Sequence, residues 1–190
     1  MAGGTRILTA DRTYLRPVAQ TDRAAFIKMA RESRRFHAPW ASAASTPAAF
    51  SHYVDRTRTD RFVALLLFLR TDEQLVGVFN LSEIVRGMFQ NAYLGYYVNV
   101  AFAGQGLMTE GMKLTLRYAF RALRLHRIEA NIRPDNVASI RLVQRCGFQR
   151  EGFSQKYLKI GGTWCDHERW AIRSDNWQQG RAPARVQVHA

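Results

Sequence analysis

Gly104 and Gly106 stand two residues apart in "VNVAFAGQGLMTEGM", residues 98 to 112, where an aromatic and β-branched run gives way to a helix-forming one. A helix that starts at such a link points several backbone N–H groups at one spot, and its dipole favours negative charge there. Glycine lets the main chain approach a phosphate without a Cβ in the way. The spacing therefore reads as a phosphate cradle, with an ordinary tight turn as the competing reading. No Gly-Lys-Ser/Thr follows, and the third glycine and downstream acid of a dinucleotide fingerprint are missing, which disfavours ATP and NAD.

A second constellation lies in "EANIRPDNVASIRLVQRCGF", residues 129 to 148. Asn131 falls near the end of an expected strand, and Asn136 and Ser139 fall around the first turn of the next helix. Two carboxylates are near in sequence. Glu110, in a first helical turn, has a ready role against the helix dipole, so Glu83, at a strand end facing the expected acceptor cleft, is the candidate general base. Asp166 and His167 cannot both point into one site, because successive strand residues face opposite ways. Cys146 and Cys165 have no metal-ligand spacing, so no metal is expected and both are read as reduced thiols, Cys146 in a buried helix.

The elements that must position these groups follow from the apolar pattern. "TYLRPV" reads as a strand, and "TDRAAFIKMARESRR" as a helix with Phe26, Ile27, Met29 and Ala30 inward. Pro39 ends it and Thr46-Pro47 starts another helix. "RFVALLLFLR" and "QLVGVFNLSEI" form a hairpin, followed by the strand "NAYLGYYVNV" and the helix "LMTEGMKLTLRYAFRAL". "HRIEANI" is a strand, "NVASIRLVQRC" a helix, and a closing hairpin turns at "GGT". Such an order makes one mixed sheet with helices packed on it.

At 190 residues and 47% hydrophobic, the chain fits a single domain over 1–177, with a flexible tail over 178–190. No run reaches the roughly 18 apolar residues of a membrane span, and the N-terminus has no signal-peptide core, so a cytoplasmic protein with no membrane partner is expected. The net charge is +13, nearly all of the cations being arginine, which favours an anionic cofactor, substrate or RNA. A monomer and a homodimer both remain open.

"FHAPW", "EIVRGMFQNAYLGYYV", "GQGLMTEGM", "HRIEANIRPDNVAS" and "GFQREGFSQKYLKIGGTWCDH" together resemble the GCN5-related N-acetyltransferase (GNAT) superfamily, and within it the RimJ type of ribosomal-protein-alanine N-acetyltransferase. The resemblance implies a mixed α/β (α+β) GNAT fold: a central, mostly antiparallel twisted sheet, splayed at the acetyl-CoA site and flanked by helices. It implies acetyl-CoA as cosubstrate. Main-chain groups of Tyr97, Val98 and Asn99 would meet the pantetheine amides, and Gly104, Gln105, Gly106, Leu107, Met108 and Thr109 would surround the pyrophosphate. Asn131 would bind the cofactor from the strand end, Asn136 would hydrogen-bond the pantetheine chain, and Ser139 would lie near the sulfur. Three departures stand out: Ala103 where an arginine or glutamine is usual, Met108 where glycine or alanine is frequent, and Val143 where many members carry a proton-donating tyrosine.

On this reading Val98 N–H is the donor for the developing oxyanion, Ser139 serves the departing thiolate, and Glu83 is the base. Weak base provision suits an α-amine, whose pKa of about 7.7–8.0 leaves roughly 10–30% neutral near pH 7–7.5, against about 0.1% or less of a lysine. Phe36, His37, Trp40, Arg86 and Phe89 lie on the segments expected to select the acceptor. The resemblance implies the N-terminal alanine of a small-subunit ribosomal protein, S5, with ribosomal RNA as the counterpart of the arginines. A small-amine acetyltransferase (aminoglycoside or polyamine) and a non-catalytic acetyl-CoA-binding or RNA-binding module are the competing readings.

Overall fold

The computed structural model describes residues 5–38 and 40–179. Eight strands form one sheet in the order β1-β2-β3-β4-β5-β6-β8-β7. They are β1 (Leu8–Thr9), β2 (Thr13–Pro17), β3 (Val63–Leu69), β4 (Leu75–Val85), β5 (Asn91–Val98), β6 (Arg127–Ile132), β7 (Gln149–Ile160) and β8 (Thr163–Arg173). All neighbours are antiparallel except β5 and β6. The helices are α1 (Arg23–Glu32), α2 (Arg34–His37), α3 (Pro47–Asp55), α4 (Leu107–Arg117), α5 (Val137–Arg145) and α6 (Ser174–Gln179).

β3 is apolar throughout because both its faces are covered. Leu65 and Leu67 enter one core with Phe79, Met112 and Leu116, under α4. Leu66 and Phe68 enter a second core with Phe26, Phe50 and Val78, under α1 and α3. Period-2 alternation thus sorts one hydrophobic run between two layers. α1 buries Phe26, Ile27, Met29 and Ala30, as its periodicity predicts. α3 starts at Thr46, whose Oγ1 accepts from Ala49 N–H at 3.2 Å, with Pro47 at the first position.

Three features depart from the expected string. The helix expected to run on through Leu123 leaves α geometry at Tyr118 and closes in a π turn over Tyr118–Ala122. The short α2 follows α1 after a break at Ser33. The boundary expected after Trp177 falls inside α6, which reaches Gln179, while 180–190 of the expected tail lie outside the described residues. Among the described residues no helix is long and apolar enough to cross a membrane.

Candidate active site

Pairing between the parallel strands β5 and β6 stops at Tyr93 and Glu129, although β5 runs on to Val98 and β6 to Ile132. The two strands therefore diverge. Asn99 N–H donates to Val76 C=O at 2.8 Å, which makes Gly77↔Val98 a non-hydrogen-bonded pair of the β4–β5 ladder. By alternation, the main-chain groups of Tyr97 and Asn99 face β4, and those of Tyr96 and Val98 face the gap. This corrects the expectation for Tyr97 and Asn99 and adds Tyr96. The Val98 carbonyl is already occupied, since His37 Nε2 lies 2.7 Å from it. Val98 N–H and both main-chain groups of Tyr96 remain to meet an amide-bearing arm.

The glycine turn closes one end of this gap. Gly104 and Gly106 have φ of 76° and 77°, the left-handed region that glycine adopts without strain, and Gly106 is the N-cap of α4. From residue 104 to residue 108, five consecutive backbone N–H groups have no hydrogen-bond partner among the described residues. Thr109 N–H is not among them, because it returns to Gly106 C=O at 3.0 Å. The Gln105 side chain also turns away and donates to Ala101 C=O at 3.0 Å. A run of free donors with no Cβ at its two bends fits a diphosphate.

Met108, on α4, is accommodated by Gly77 of β4. A Cβ on Gly77 would stand 2.6 Å from Met108 Sδ, so the Met108 side chain packs down onto β4 where no side chain intervenes. On α4 itself Gly111 makes room in the opposite direction, for a Cβ there would meet Leu67 and Phe79 side-chain carbons of the sheet at 2.6 Å.

Ser139 comes to the gap from the first turn of α5. Asn136 caps that helix, its Oδ1 accepting from Ser139 N–H at 3.1 Å, so Asn136 positions the serine. Ser139 Oγ lies 2.5 Å from the Tyr96 hydroxyl. Burial raises the Tyr96 hydroxyl above the ordinary phenol value, with the Ser139 hydrogen bond pulling the other way, so it stays protonated. Val143 is fully buried in the core under α4 and α5. A tyrosine hydroxyl thus reaches this region from β5, rather than from α5.

Asn131 lies on the other side of the sheet. Ile128, Ala130 and Ile132 enter the core beneath α4 and α5, which turns Arg127, Glu129 and Asn131 to the opposite face. The Asn131 Oδ1 is buried there without a hydrogen-bond partner among the described residues.

Glu83 is not brought to Ser139. It lies four residues past Phe79, the partner of Tyr96, which is about 13 Å along β4. It is exposed, sits in the irregular stretch with φ of 48°, and pairs with Arg61 at 2.9 Å. Glu110 accepts from Arg12 Nε at 2.6 Å and from Thr13 Oγ1 at 3.1 Å, tying α4 to β2. Asp166 is exposed and His167 is 2% exposed, on opposite faces of β8 as expected. Cys146 is free and buried, and burial pushes its thiol up to about 11.

Of the residues expected to select the acceptor, Phe36 and Trp40 are near the gap. Ser33 Oγ accepts from Val100 N–H at 3.0 Å, His37 holds Val98, and the Trp40 indole N–H donates to Asp135 at 3.2 Å. The α1–α2 segment is thereby tied both to the end of β5 and to the β6–α5 loop. Arg86 and Phe89 are elsewhere, on the β4–β5 hairpin tip beyond the Val85↔Asn91 pair, with Arg86 donating to Leu123 C=O. Gly95, between Tyr93 and Tyr97, is exposed on the sheet face opposite Tyr96, and a Cβ there would meet nothing within 4 Å.

The family described as acetyltransferase (GNAT) domain matches residues 12–149. The chain belongs to the GNAT family. It is an acetyl-CoA-dependent N-acetyltransferase. A probable N-acetyltransferase from Bacillus subtilis, YjcK, is 33% identical over 174 residues, covering 87% of this chain and 96% of that one. The [ribosomal protein uS5]-alanine N-acetyltransferase of Escherichia coli is 41% identical over 115 residues, 60% of this chain and 59% of its own length. The chain thus spans just under three fifths of that relative. Mycobacterium smegmatis RimJ, solved in complex with CoA-disulfide, superposes with a TM-score of 0.79 at 28% identity, over 86% of this chain and 82% of that one. In this GNAT chain the diverging strands and the free N–H run are the features that fit CoA. Among the described residues no group of three or more His, Cys, Asp or Glu is placed to hold a metal.

Sequence reasoning missed Tyr96 and Arg12, and it placed His37 on the acceptor side without its contact with Val98. Each acts through a contact with a segment distant in sequence, and no local motif marks it.

Proposed function

We propose that this GNAT enzyme moves an acetyl group from acetyl-CoA directly to an N-terminal α-amine, that of a ribosomal protein beginning with alanine. The observation that carries this reading is the state of the carboxylates around the gap. Glu110 is held by Arg12 at 2.6 Å, Glu129 by Arg127 at 2.8 Å, Asp135 by Arg133 at 2.6 Å and Glu168 by Arg150 at 3.2 Å. A carboxylate whose oxygens are already occupied by a guanidinium is less free to meet an incoming ammonium or a polycation. An α-amine, with a substantial neutral fraction at physiological pH, needs only water to take its proton. Identity of 41% to an enzyme named for the alanine of ribosomal protein uS5 agrees with this acceptor.

Acetyl-CoA supplies a thioester, at which the C–N bond forms as the C–S bond breaks. Val98 N–H and Tyr96 N–H are the main-chain donors available to charge developing on the carbonyl oxygen. Ser139 donates its hydroxyl proton towards the departing sulfur, and Tyr96 donates in turn to Ser139 Oγ. Phe36 and Trp40 form the wall against which the acceptor's first residues lie. Ribosomal RNA is the partner proposed for the arginine-rich surface, because a basic ribosomal protein alone would be repelled by a net charge of +13.

Intact-mass detection of acetyl transfer tests this reading, with three acceptors offered together: an Ala-starting peptide, its N-blocked lysine-containing twin, and spermidine. Modification of the free alanine terminus alone is expected. Acetylation of lysine or spermidine instead would overturn the acceptor class while leaving the family intact.

A further inference from the structure

The glycine turn itself carries no cation: residues 103 to 108 are Ala-Gly-Gln-Gly-Leu-Met. A guanidinium nevertheless stands in front of it, delivered from the turn between β1 and β2. Arg12 Nη1 donates to Gln105 C=O at 3.1 Å, and its Nη2 lies 3.4 Å from where a Cβ on Gly106 would be. Glu110 fixes this pose. One carboxylate oxygen accepts from Arg12 Nε at 2.6 Å, and the other accepts from Arg12 N–H at 3.2 Å and Thr13 Oγ1 at 3.1 Å. Nη2 has no hydrogen-bond partner among the described residues, and the Arg12 side chain is 54% exposed.

We propose that Arg12 is the cationic half of the phosphate cradle, its Nη2 binding the diphosphate of the acyl donor opposite the free N–H groups of residues 104 to 108, with Glu110 as its positioning residue. The inference rests on CoA being the donor's carrier. A guanidinium held at its Nε and Nη1 keeps its remaining N–H fork presented, so little side-chain freedom is lost when phosphate arrives. A Cβ on Gly106 would reach contact with Nη2 at 3.4 Å, which places the guanidinium directly over the turn.

Equilibrium binding by calorimetry to wild type, Arg12→Gln and Arg12→Lys tests this, with CoA, 3′-dephospho-CoA and pantetheine as probes. Arg12→Gln is expected to raise the Kd of CoA and of dephospho-CoA alike by about 10- to 100-fold, leaving pantetheine unchanged. A CoA Kd within twofold of wild type overturns the proposal, as does an equal loss for pantetheine. A loss seen with CoA but not with dephospho-CoA moves the contact to the 3′-phosphate and overturns the diphosphate assignment. Arg12→Lys covers the case in which Arg12→Gln fails to fold. An ammonium cannot span Gln105 and Gly106 together, so a loss of about three- to tenfold, for the two phosphate-bearing probes alone, is expected, and an unchanged Kd overturns the proposal. Failure of wild type to bind CoA at all would strike the donor reading itself, whereas equal binding by wild type and variants strikes only Arg12.

Discussion

The Tyr96 hydroxyl and Ser139 Oγ are 2.5 Å apart, so a residue from β5 and one from α5 are hydrogen-bonded beside the divergence of β5 from β6. The pair joins the strand that lines the gap to the helix that Asn136 caps. A serine alone is a weak proton donor to a thiolate. A serine that can draw on a buried phenol loses less by giving its proton up.

If Ser139 serves the departing sulfur, Ser139→Ala lowers kcat by about 100-fold or more, the lower end of general-acid contributions. The KM for acetyl-CoA changes little. Tyr96→Phe leaves the serine in place and costs about tenfold. The two losses do not add in the double variant, because Tyr96 acts through Ser139. Steady-state kinetics on the four proteins read this directly, and additive losses would separate the two residues.

The pH profile follows from which groups titrate. With an α-amine acceptor, kcat/KM rises about tenfold per pH unit below the amine's pKa of about 7.7–8.0 and levels above it. Burial pushes the Tyr96 hydroxyl up against the opposing effect of its Ser139 hydrogen bond, so it remains a donor through this range. No falling limb is therefore expected below about pH 10. A descending limb between pH 8 and 9 that disappears in Tyr96→Phe would show that the phenol titrates far lower than its burial implies.

How much of this was legible in the sequence depends on the range over which each signal acts. The glycine turn and the inward face of α1 are local patterns, and the structure shows both, whereas the capping role of Asn136 comes only with the structure. Ser139 is reached through the family resemblance of its motif, and the structure places it in the first turn of α5. Tyr96 meets Ser139 across 43 residues, His37 meets Val98 across 61, and Arg12 meets Gln105 across 93. Nothing in the spacing of neighbours encodes such encounters. Which main-chain groups line the gap was likewise hidden, because it depends on the β4–β5 register. Glu83 misled because its strand passes the site, but its residue lies in the irregular end of β4 and turns to Arg61.

The entry to α1 rests on a buried ion pair. Arg16 Nη1 and Nη2 meet Asp22 at 2.8 and 2.5 Å, both side chains are under 10% exposed, and Ala19 N–H donates to the same carboxylate at 2.8 Å. Removing one partner strands the other charge in the interior. Asp22→Ala is expected to destabilise the fold by about 3–5 kcal/mol, which thermal unfolding would register as a fall of roughly 10 °C in a chain of this size. A shift under about 2 °C would mean that water reaches Arg16 once the carboxylate is gone.

Gly95 offers a separation of acceptor binding from donor binding. Its backbone needs no glycine, since its φ is not positive, and a Cβ would touch nothing within 4 Å. Packing does not require it either. What remains is the open space above it, on the face opposite Tyr96; if the acceptor approaches on that face, its amine reaches the gap without crossing the donor's arm. Gly95→Ala is then tolerated, because one methyl leaves most of that space open. Gly95→Leu fills it, and activity on an Ala-starting peptide is expected to fall by about 100-fold, the scale on which misplacing a reactant acts, while the Kd of CoA and the melting temperature stay at wild-type values. Loss of CoA binding in Gly95→Leu would put the donor's arm on this face, and full activity would place the acceptor's path elsewhere.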